Sequence, residues 1–331
     1  MAQEVARIKL ANGEQSDFYR PEREAMVLRQ VMERNQGPLE AKEVARLFRE
    51  IMSSCLAAEK PLQVAYLGPE GSFTQAAALK QFGGSVEPKP LPTIADVFRE
   101  VEVGNASYGV VPVENSTEGM VTHTLDQFIN TALKINGEVS LRIHHYLLSK
   151  ETHLSNVKTV YGHPQALAQC RQWLAMHCAG CEQVPVSSNS EAAKRVAGEA
   201  NAAAIAANRA AEIYQLETLA SHIEDEADNT TRFIVIGRQD IGPSGDDKTA
   251  LLVSTKNQPG ALFGLLEPLA KSGITMSKIE SRPSRKGMWD YVFFIDIEGH
   301  RDDADVALAL SKLEQASSMC RVLGSYPRAV L

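Results

Sequence analysis

The sequence has no run approaching the ~20 apolar residues that span a bilayer. Its first residues, Met1-Ala2-Gln3-Glu4-Val5-Ala6-Arg7, hold no apolar stretch of the secretory kind. It also has no excess of positive charge. The formal net charge is -7, which argues against a nucleic-acid backbone or an anionic membrane as partner. A small anionic substrate is not excluded, because a pocket can be locally positive on an acidic protein. Cysteines number five, and an odd count in a long chain argues for reduced thiols and a cytoplasmic setting. Cys178-Ala179-Gly180-Cys181 has the spacing of a redox or zinc pair, with His177 and Cys170 nearby. It ends a helical pattern and lacks a second ligand pair, so it is read as free thiols. Tandem repeats, low-complexity tracts, the Gly-Lys-Ser/Thr ending of a phosphate loop and the dinucleotide fingerprint are all missing.

What is present is a chain of 331 residues, too long for one ordinary core and enough for two or three domains. Residues 1–60 read as all helix. Val44, Leu47, Phe48, Ile51, Met52, Cys55 and Leu56 form one apolar stripe, and Asn35-Gln36-Gly37-Pro38 stops the helix before it. Residues 62–238 alternate short apolar strands (64–67, 109–113, 139–148, 159–161, 203–206, 233–236) with helical patterns (73–82, 94–103, 164–177, 190–198, 208–214). That alternation predicts α/β layers with largely parallel sheets, in two lobes facing a cleft. Residues 239–247 are a linker by composition. Residues 248–331 follow the order β-α-β-β-α-β of a ferredoxin-like α+β unit. The fold class expected is therefore multidomain α/β.

Several segments mark strand ends or helix starts, where such folds place ligands. Gly68-Pro69-Glu70-Gly71-Ser72-Phe73-Thr74 leaves a strand and opens a helix, and is read equally as a plain cap or an anion-binding loop. Val111-Pro112-Val113-Glu114-Asn115-Ser116 turns abruptly from apolar to polar; a turn with a capping asparagine is the competing reading. Gly162-His163-Pro164-Gln165 repeats the arrangement, with His163 more readily structural than catalytic. Ser187-Ser188-Asn189-Ser190 reads as a capped helix start. Asn229-Thr230-Thr231-Arg232-Phe233 enters a strand behind the acidic stretch Glu224–Asp228. Strand alternation then puts Thr231 and Phe233 on one face and Arg232 on the other, holding the site from behind against that acidic stretch.

In this order, the segments from about 62 to 238 resemble the prephenate dehydratase family: G-P-x-G-[ST]-[FY], V-P-[VI]-E-N-S, H-P-Q, the serine-led helix start at Ser188 and N-x-T-R-F. The resemblance implies a two-lobed catalytic domain of the periplasmic-binding-protein type. It also implies a lyase of phenylalanine biosynthesis that takes prephenate to phenylpyruvate. Loss of CO₂ and water aromatises the ring, so the reaction asks for no cofactor and no metal. By resemblance Thr231 assists the leaving hydroxyl, and Asn115, Gln165 and Ser188 orient the substrate; Glu114 is read as a supporting or a structural carboxylate. Asn257-Gln258-Pro259-Gly260-Ala261-Leu262 and Glu280-Ser281-Arg282-Pro283 look like the two phenylalanine-responsive motifs of a regulatory ACT domain. They imply feedback by phenylalanine and a homodimer or higher homo-oligomer.

The helical region resembles a chorismate mutase domain. Lys9, Arg23, Glu24 and Glu59 match its pocket, and charges in line with apolar stripes suggest a polar pocket in a bundle. The resemblance also calls for two arginines upstream of Met1 on a long first helix. The domain is therefore expected to be truncated, and its mutase activity is left in question. A shortened reading frame, a trimmed chain and a dimerisation remnant are the open explanations. The rival readings are an arogenate dehydratase and a non-catalytic small-anion-binding protein.

Overall fold

The computed structural model describes residues 19–255, 258–283 and 291–331. Lys9 and Asn257 lie outside the described residues. Helices α1 (Pro21–Arg34) and α2 (Ala41–Glu59) form an antiparallel pair. Proline at the first turn of α1 sets its start, and Asn35 closes the turn after it by donating to the Leu39 carbonyl at 2.7 Å. Helix α2 does not bury its apolar stripe. It turns Ala45, Arg49 and Ser53 inward, and Leu47, Phe48 and Ile51 stay exposed. The polar face wins because Arg49 finds partners there: Glu24 at 2.8 Å and the Lys80 carbonyl at 2.9 Å. Burial raises the Glu24 carboxyl above its ordinary range even with Arg49 beside it.

The first α/β lobe is a sheet ordered β2-β1-β3-β11-β5, from β1 (Gln63–Leu67), β2 (Glu87–Leu91), β3 (Tyr108–Asn115), β5 (Lys134–Arg142) and β11 (Thr230–Gly237), with the short β4 (Gly119–Met120) on β3. Helices α3 (Phe73–Phe82), α4 (Ile94–Glu102) and α5 (Thr122–Asn130) belong to it. The second lobe is ordered β10-β6-β9-β7-β8: β6 (Tyr146–Ser149), β7 (Thr159–Gly162), β8 (Glu182–Pro185), β9 (Ala202–Ala206) and β10 (Glu217–Ser221). Its helices are α6 (Pro164–Gln169), α7 (Arg171–His177), α8 (Asn189–Val196) and α9 (Asn208–Tyr214). Both sheets are mixed rather than largely parallel: β11 runs antiparallel to β3 and β5, and β6 antiparallel to β9 and β10. The chain crosses between lobes twice, and each return enters a sheet against its neighbours. The first crossing, residues 143–145, divides the single strand expected over 139–148. The two crossings pair with each other, Ile143 N–H to Asn229 O at 2.8 Å and Ile223 N–H to His145 O at 3.0 Å.

The C-terminal unit is ordered β13-β14-β12-β15, from β12 (Asp247–Ser254), β13 (Met276–Pro283), β14 (Tyr291–Glu298) and β15 (Met319–Pro327). Helices α10 (Ala261–Lys271) and α11 (Ala304–Ala316) cover one face of this sheet, around Leu251, Ile295 and Leu313. The other face does not meet water. Ala250, Leu252, Phe294 and Leu323 share a core with Val97, Phe98 and Ile234 of the first lobe. The approach is close enough that a side chain on Gly324 would run into the Ile135 backbone.

Inside this apolar interface sits a balanced cluster of three cations and three carboxylates. Arg232 pairs with Glu138 at 2.9 Å and Asp296 at 2.7 Å, and its guanidinium lies 3.8 Å from Glu114. Lys248 pairs with Glu138 at 2.8 Å, and Lys278 pairs with Glu114. Burial alone would push the Arg232 guanidinium down; Tyr326, Asp296 and Glu138 outweigh it and hold it above its ordinary value. Removing one member strands a buried charge of opposite sign. Arg232→Met is therefore expected to lower stability by about 3–5 kcal/mol, read from chemical denaturation; a loss under ~1 kcal/mol, the scale of an exposed ion pair, contradicts the cluster's buried character.

Candidate active site

A cavity of about 770 Å³ lies between the lobes. Gly68, Ser72, Phe73, Pro112, Thr231 and Phe233 line it from the first lobe; His163, Gln165, Ser188 and Glu191 line it from the second. Among the described residues, none lining it is a lysine or arginine. Positive potential at its walls comes from helix ends instead. Helix α3 begins behind Ser72, whose hydroxyl accepts from Gln75 N–H at 3.3 Å; α8 begins behind Ser188, whose hydroxyl accepts from Glu191 N–H at 3.1 Å. Both helices start at the cavity wall and so turn the positive ends of their dipoles into it. His163 caps α6 through Nδ1, 3.4 Å from Gln165 N–H, and its backbone N–H is held by Asn189 at 2.9 Å.

The strand pair β3–β11 decides which side chains face this cavity. Thr231 lies opposite Asn115 and Arg232 opposite Glu114, but Phe233 lies opposite Pro112. Val113 is thus an extra residue in β3, a bulge that reverses the strand's alternation. Pro112 and Asn115 share the side of Thr231 and Phe233; Glu114 joins Arg232 behind the sheet. Thr231 and Arg232 therefore take opposite faces. Arg232 does not meet the acidic stretch: Glu138 and Asp296 hold it. Asp228 pairs with Arg142, and Asp225 caps α7 by accepting from Gln172 N–H. Glu224 accepts from His145 N–H at 2.8 Å beside His144.

Of the five residues assigned to the chemistry, Thr231, Gln165 and Ser188 line the cavity. Glu114 does not; it faces Lys278 and Arg232 on the far side of the sheet. Asn115 stands behind Thr231. Its Oδ1 accepts from Thr117 N–H at 3.0 Å, Thr117 Oγ1 at 2.6 Å and Glu118 N–H at 3.2 Å. Its Nδ2 donates to Asn229 Oδ1 and to Thr231 Oγ1, both at 2.8 Å. Both amide protons are used and the oxygen is occupied, so Asn115 has nothing left to offer a substrate. Two backbone N–H groups fix which end of its amide is oxygen. The Thr231 hydroxyl consequently accepts from Asn115, and its own proton is free to point into the cavity.

In the C-terminal unit, Ser254 pairs with Val292 and Val292 with Arg282. Gly260, Ala261 and Leu262 at the start of α10 therefore lie at the same end of the sheet as Glu280, Ser281, Arg282 and Pro283 on edge strand β13. Arg282 turns to the first lobe and pairs with Asp126 at 2.9 Å. Glu280 borders a second, small cavity of about 30 Å³ at the interface with the first lobe, beside Arg232 and Asp296. In the helical pair, Glu24 is buried on Arg49, Arg23 is exposed and Glu59 is half-buried.

Sequence reasoning missed three residues of the Thr231 environment. Asn229 was noted only as part of a motif, yet it is 2 % exposed and joins Asn115 to Gln169. Gln169 sits one helical turn after Gln165, a spacing that puts both on one face of a helix and was the available signal. His145, at the lobe crossing, bonds Gln169 through Nε2 at 2.9 Å. Burial pushes the His145 imidazole below its ordinary range. Among the described residues no group of three or more His, Cys, Asp or Glu is placed to hold a metal ion, and Cys178 is buried, its thiol pushed up to about 12 by burial.

A two-lobed α/β frame with capped helices aimed into a hydroxyl-lined cleft defines a class of proteins that hold small anions at strand ends. The prephenate dehydratase family model matches residues 64–241, the chorismate mutase type II model residues 1–60 and the ACT domain model residues 249–315. The chain is 57% identical over 334 aligned residues to the bifunctional chorismate mutase/prephenate dehydratase of Pseudomonas aeruginosa, covering 100% of this chain and 92% of that one. It is similar to the crystal structure of prephenate dehydratase from Arthrobacter aurescens in complex with L-Phe, with a TM-score of 0.75, 36% identity, 81% of this chain and 90% of that chain covered. A structure described as a quorum quenching acylase, GqqA, superposes with a TM-score of 0.76 at 31% identity, covering 81% of this chain and 98% of that chain. The chain belongs to the prephenate dehydratase family and carries a chorismate mutase domain and an ACT domain beside the dehydratase domain.

Proposed function

We propose that the cleft converts prephenate to phenylpyruvate with Thr231 as the donor to the departing hydroxyl. The observation that carries this reading is the direction of the Asn115–Thr231 hydrogen bond, which leaves the threonine proton for the substrate. The starts of α3 and α8 receive the substrate's anionic groups, and Gln165 and Ser188 orient it from the second lobe. The bond from the ring to its carboxylate breaks and releases CO₂. That electron pair enters the ring and expels the hydroxyl on the opposite carbon, which leaves as water with one added proton. Threonine is far too weak an acid to ionise outright, so it donates a hydrogen bond to the leaving oxygen as charge develops there, and the proton that completes the water is drawn from solvent. The keto-acid side chain is untouched. Arogenate differs only in that side chain, and assay of both substrates decides between them.

Regulation by phenylalanine fits the same frame. The starts of α10 and the end of β13 supply the effector site, in a homo-oligomer that pairs C-terminal units. Asp296 and Lys278 of that unit hold Arg232 and Glu114, the sequence neighbours of Thr231 and Asn115. Effector binding acts through that contact by favouring one of two dockings.

Thr231→Val keeps the shape and removes the hydroxyl. It is expected to cut kcat on prephenate by roughly 10²-fold or more, the scale of positioned proton-transfer help, with KM changing little; near-normal kcat removes Thr231 from the chemistry. Phenylalanine at millimolar concentration is expected to lower turnover and raise the thermal midpoint; no change in either removes the effector site.

A further inference from the structure

Cys178 and Cys181 do not line the cleft, yet their sulfurs are placed as a pair. Helix α7 ends at His177, and Cys178 closes it by bonding back through its N–H to the Leu174 carbonyl at 2.8 Å. The Cys178 carbonyl then accepts from Cys181 N–H at 2.9 Å, so the four residues form a turn ahead of β8. Such a turn brings its end Cα atoms within about 7 Å, and a disulfide spans roughly 4.4–6.8 Å between Cα atoms. The thiols already meet: Cys181 packs against the cluster that buries Cys178, and the two sulfurs share a hydrogen bond. Ala179 and Gly180 between them are exposed, and a side chain placed on Gly180 would find nothing within 4 Å, so the turn has room to tighten. The two surroundings differ. Cys178 is buried, whereas Cys181 is half-buried and its thiol donates to the Val157 carbonyl at 3.3 Å.

We infer that Cys178 and Cys181 form a reversible two-electron modification site, closing to an intramolecular disulfide when the protein meets a small disulfide such as glutathione disulfide. The more accessible Cys181 reacts first. Its thiolate attacks one sulfur of glutathione disulfide, the S–S bond breaks, and one glutathione leaves and takes up a proton. The Cys178 sulfur gives its proton to solvent, attacks the Cys181 sulfur and expels the second glutathione. Two protein thiols are oxidised and one disulfide is reduced to two glutathione thiols, so electrons and protons balance. Burial and the neighbouring Cys181 sulfur hold the Cys178 thiol high. Capping Cys181 removes the second of these causes, and contact within one turn supplies the proximity that a slow nucleophile needs. The pair ends a helix, where the dipole disfavours a thiolate, whereas disulfide-exchange enzymes place theirs at a helix start. It is therefore suited to be modified under oxidant load, not to exchange disulfides in other proteins. A transient bridge of this kind is compatible with a reducing compartment.

Trypsin releases both cysteines, and no other, in one peptide, Gln172–Lys194. The folded chain is incubated with millimolar glutathione disulfide below its thermal midpoint, its remaining thiols are capped with iodoacetamide, and the digest is weighed by mass spectrometry. The expected Gln172–Lys194 peptide is lighter than its reduced form by two hydrogens and carries neither an alkyl group nor glutathione. Dithiothreitol added before capping is expected to restore two alkylated cysteines. The peptide of the exposed Cys55 is the internal control and is expected to carry glutathione. Two alkyl groups on Gln172–Lys194 while the Cys55 peptide is glutathionylated overturn the inference, and so does a glutathione that stays on Cys181. Two variants test the order of attack. Cys178→Ala is expected to trap glutathione on Cys181, and Cys181→Ala to leave Cys178 free of it; glutathione on Cys178 in the second variant contradicts the assigned order. The first measurement needs no substitution, so misfolding of either variant leaves the inference open to refutation.

Discussion

One extra residue in one strand sets the working geometry of this molecule. The bulge at Val113 lets β3 and β11 stay paired while β3 exchanges its faces. Ahead of the bulge the apolar alternation packs the first lobe. Beyond it, Asn115 joins Thr231 toward the cleft and Glu114 joins Arg232 toward the C-terminal sheet. Without the extra residue Asn115 would face the interdomain core and Glu114 the cleft, adding a second carboxylate to Glu191 where an anionic substrate must bind. The polarity of the site follows from this single irregularity.

The same pairing explains why the domains are not strung out as independent units. A strand has two faces, and on β11 both are committed. Thr231 and Phe233 border the cavity; Arg232 and Ile234 enter the shared core with Ala250, Leu252 and Phe294. Three cations and three carboxylates in that core neutralise one another, which makes burial tolerable and the docking specific. Adjacent residues on one strand therefore answer to the cleft and to the C-terminal unit. Among the described residues no lysine or arginine lines the cleft, and helix ends do that work where a dianion must be held yet released.

Much of this was legible in the sequence. Period-two and helical patterns gave the α/β alternation, and the β-α-β-β-α-β order is seen in the C-terminal unit. Alternation from Thr230 placed Thr231 and Arg232 on opposite faces. What was not legible has identifiable causes. The strand Glu87–Leu91 contains two prolines and sits at a sheet edge, where a missing N–H costs little. The crossing at Ile143-His144-His145 contains no glycine or proline, so none of the usual turn residues marks it. A bulge leaves no mark in a run such as Val110-Val111-Pro112-Val113, and Glu114 was accordingly assigned to the chemistry. The partners of Arg232 lie 94 and 64 residues away, at Glu138 in the same sheet and at Asp296 in the C-terminal unit, while the tempting acidic stretch next to it is spent on the lobe crossings.

The central claim is that Asn115 donates a hydrogen bond to Thr231, so that the Thr231 hydroxyl is left to donate its own to the leaving hydroxyl. Steady-state turnover of prephenate by Asn115→Asp tests it directly. The change is isosteric, and it replaces the one donor with an acceptor, so the threonine proton is drawn back toward position 115. The account predicts a folded protein whose kcat near neutral pH is lower by roughly 10²-fold or more, the scale of lost proton-transfer help, and rises as the pH falls and the new carboxyl regains a proton. A folded variant with near-normal kcat at neutral pH would contradict it.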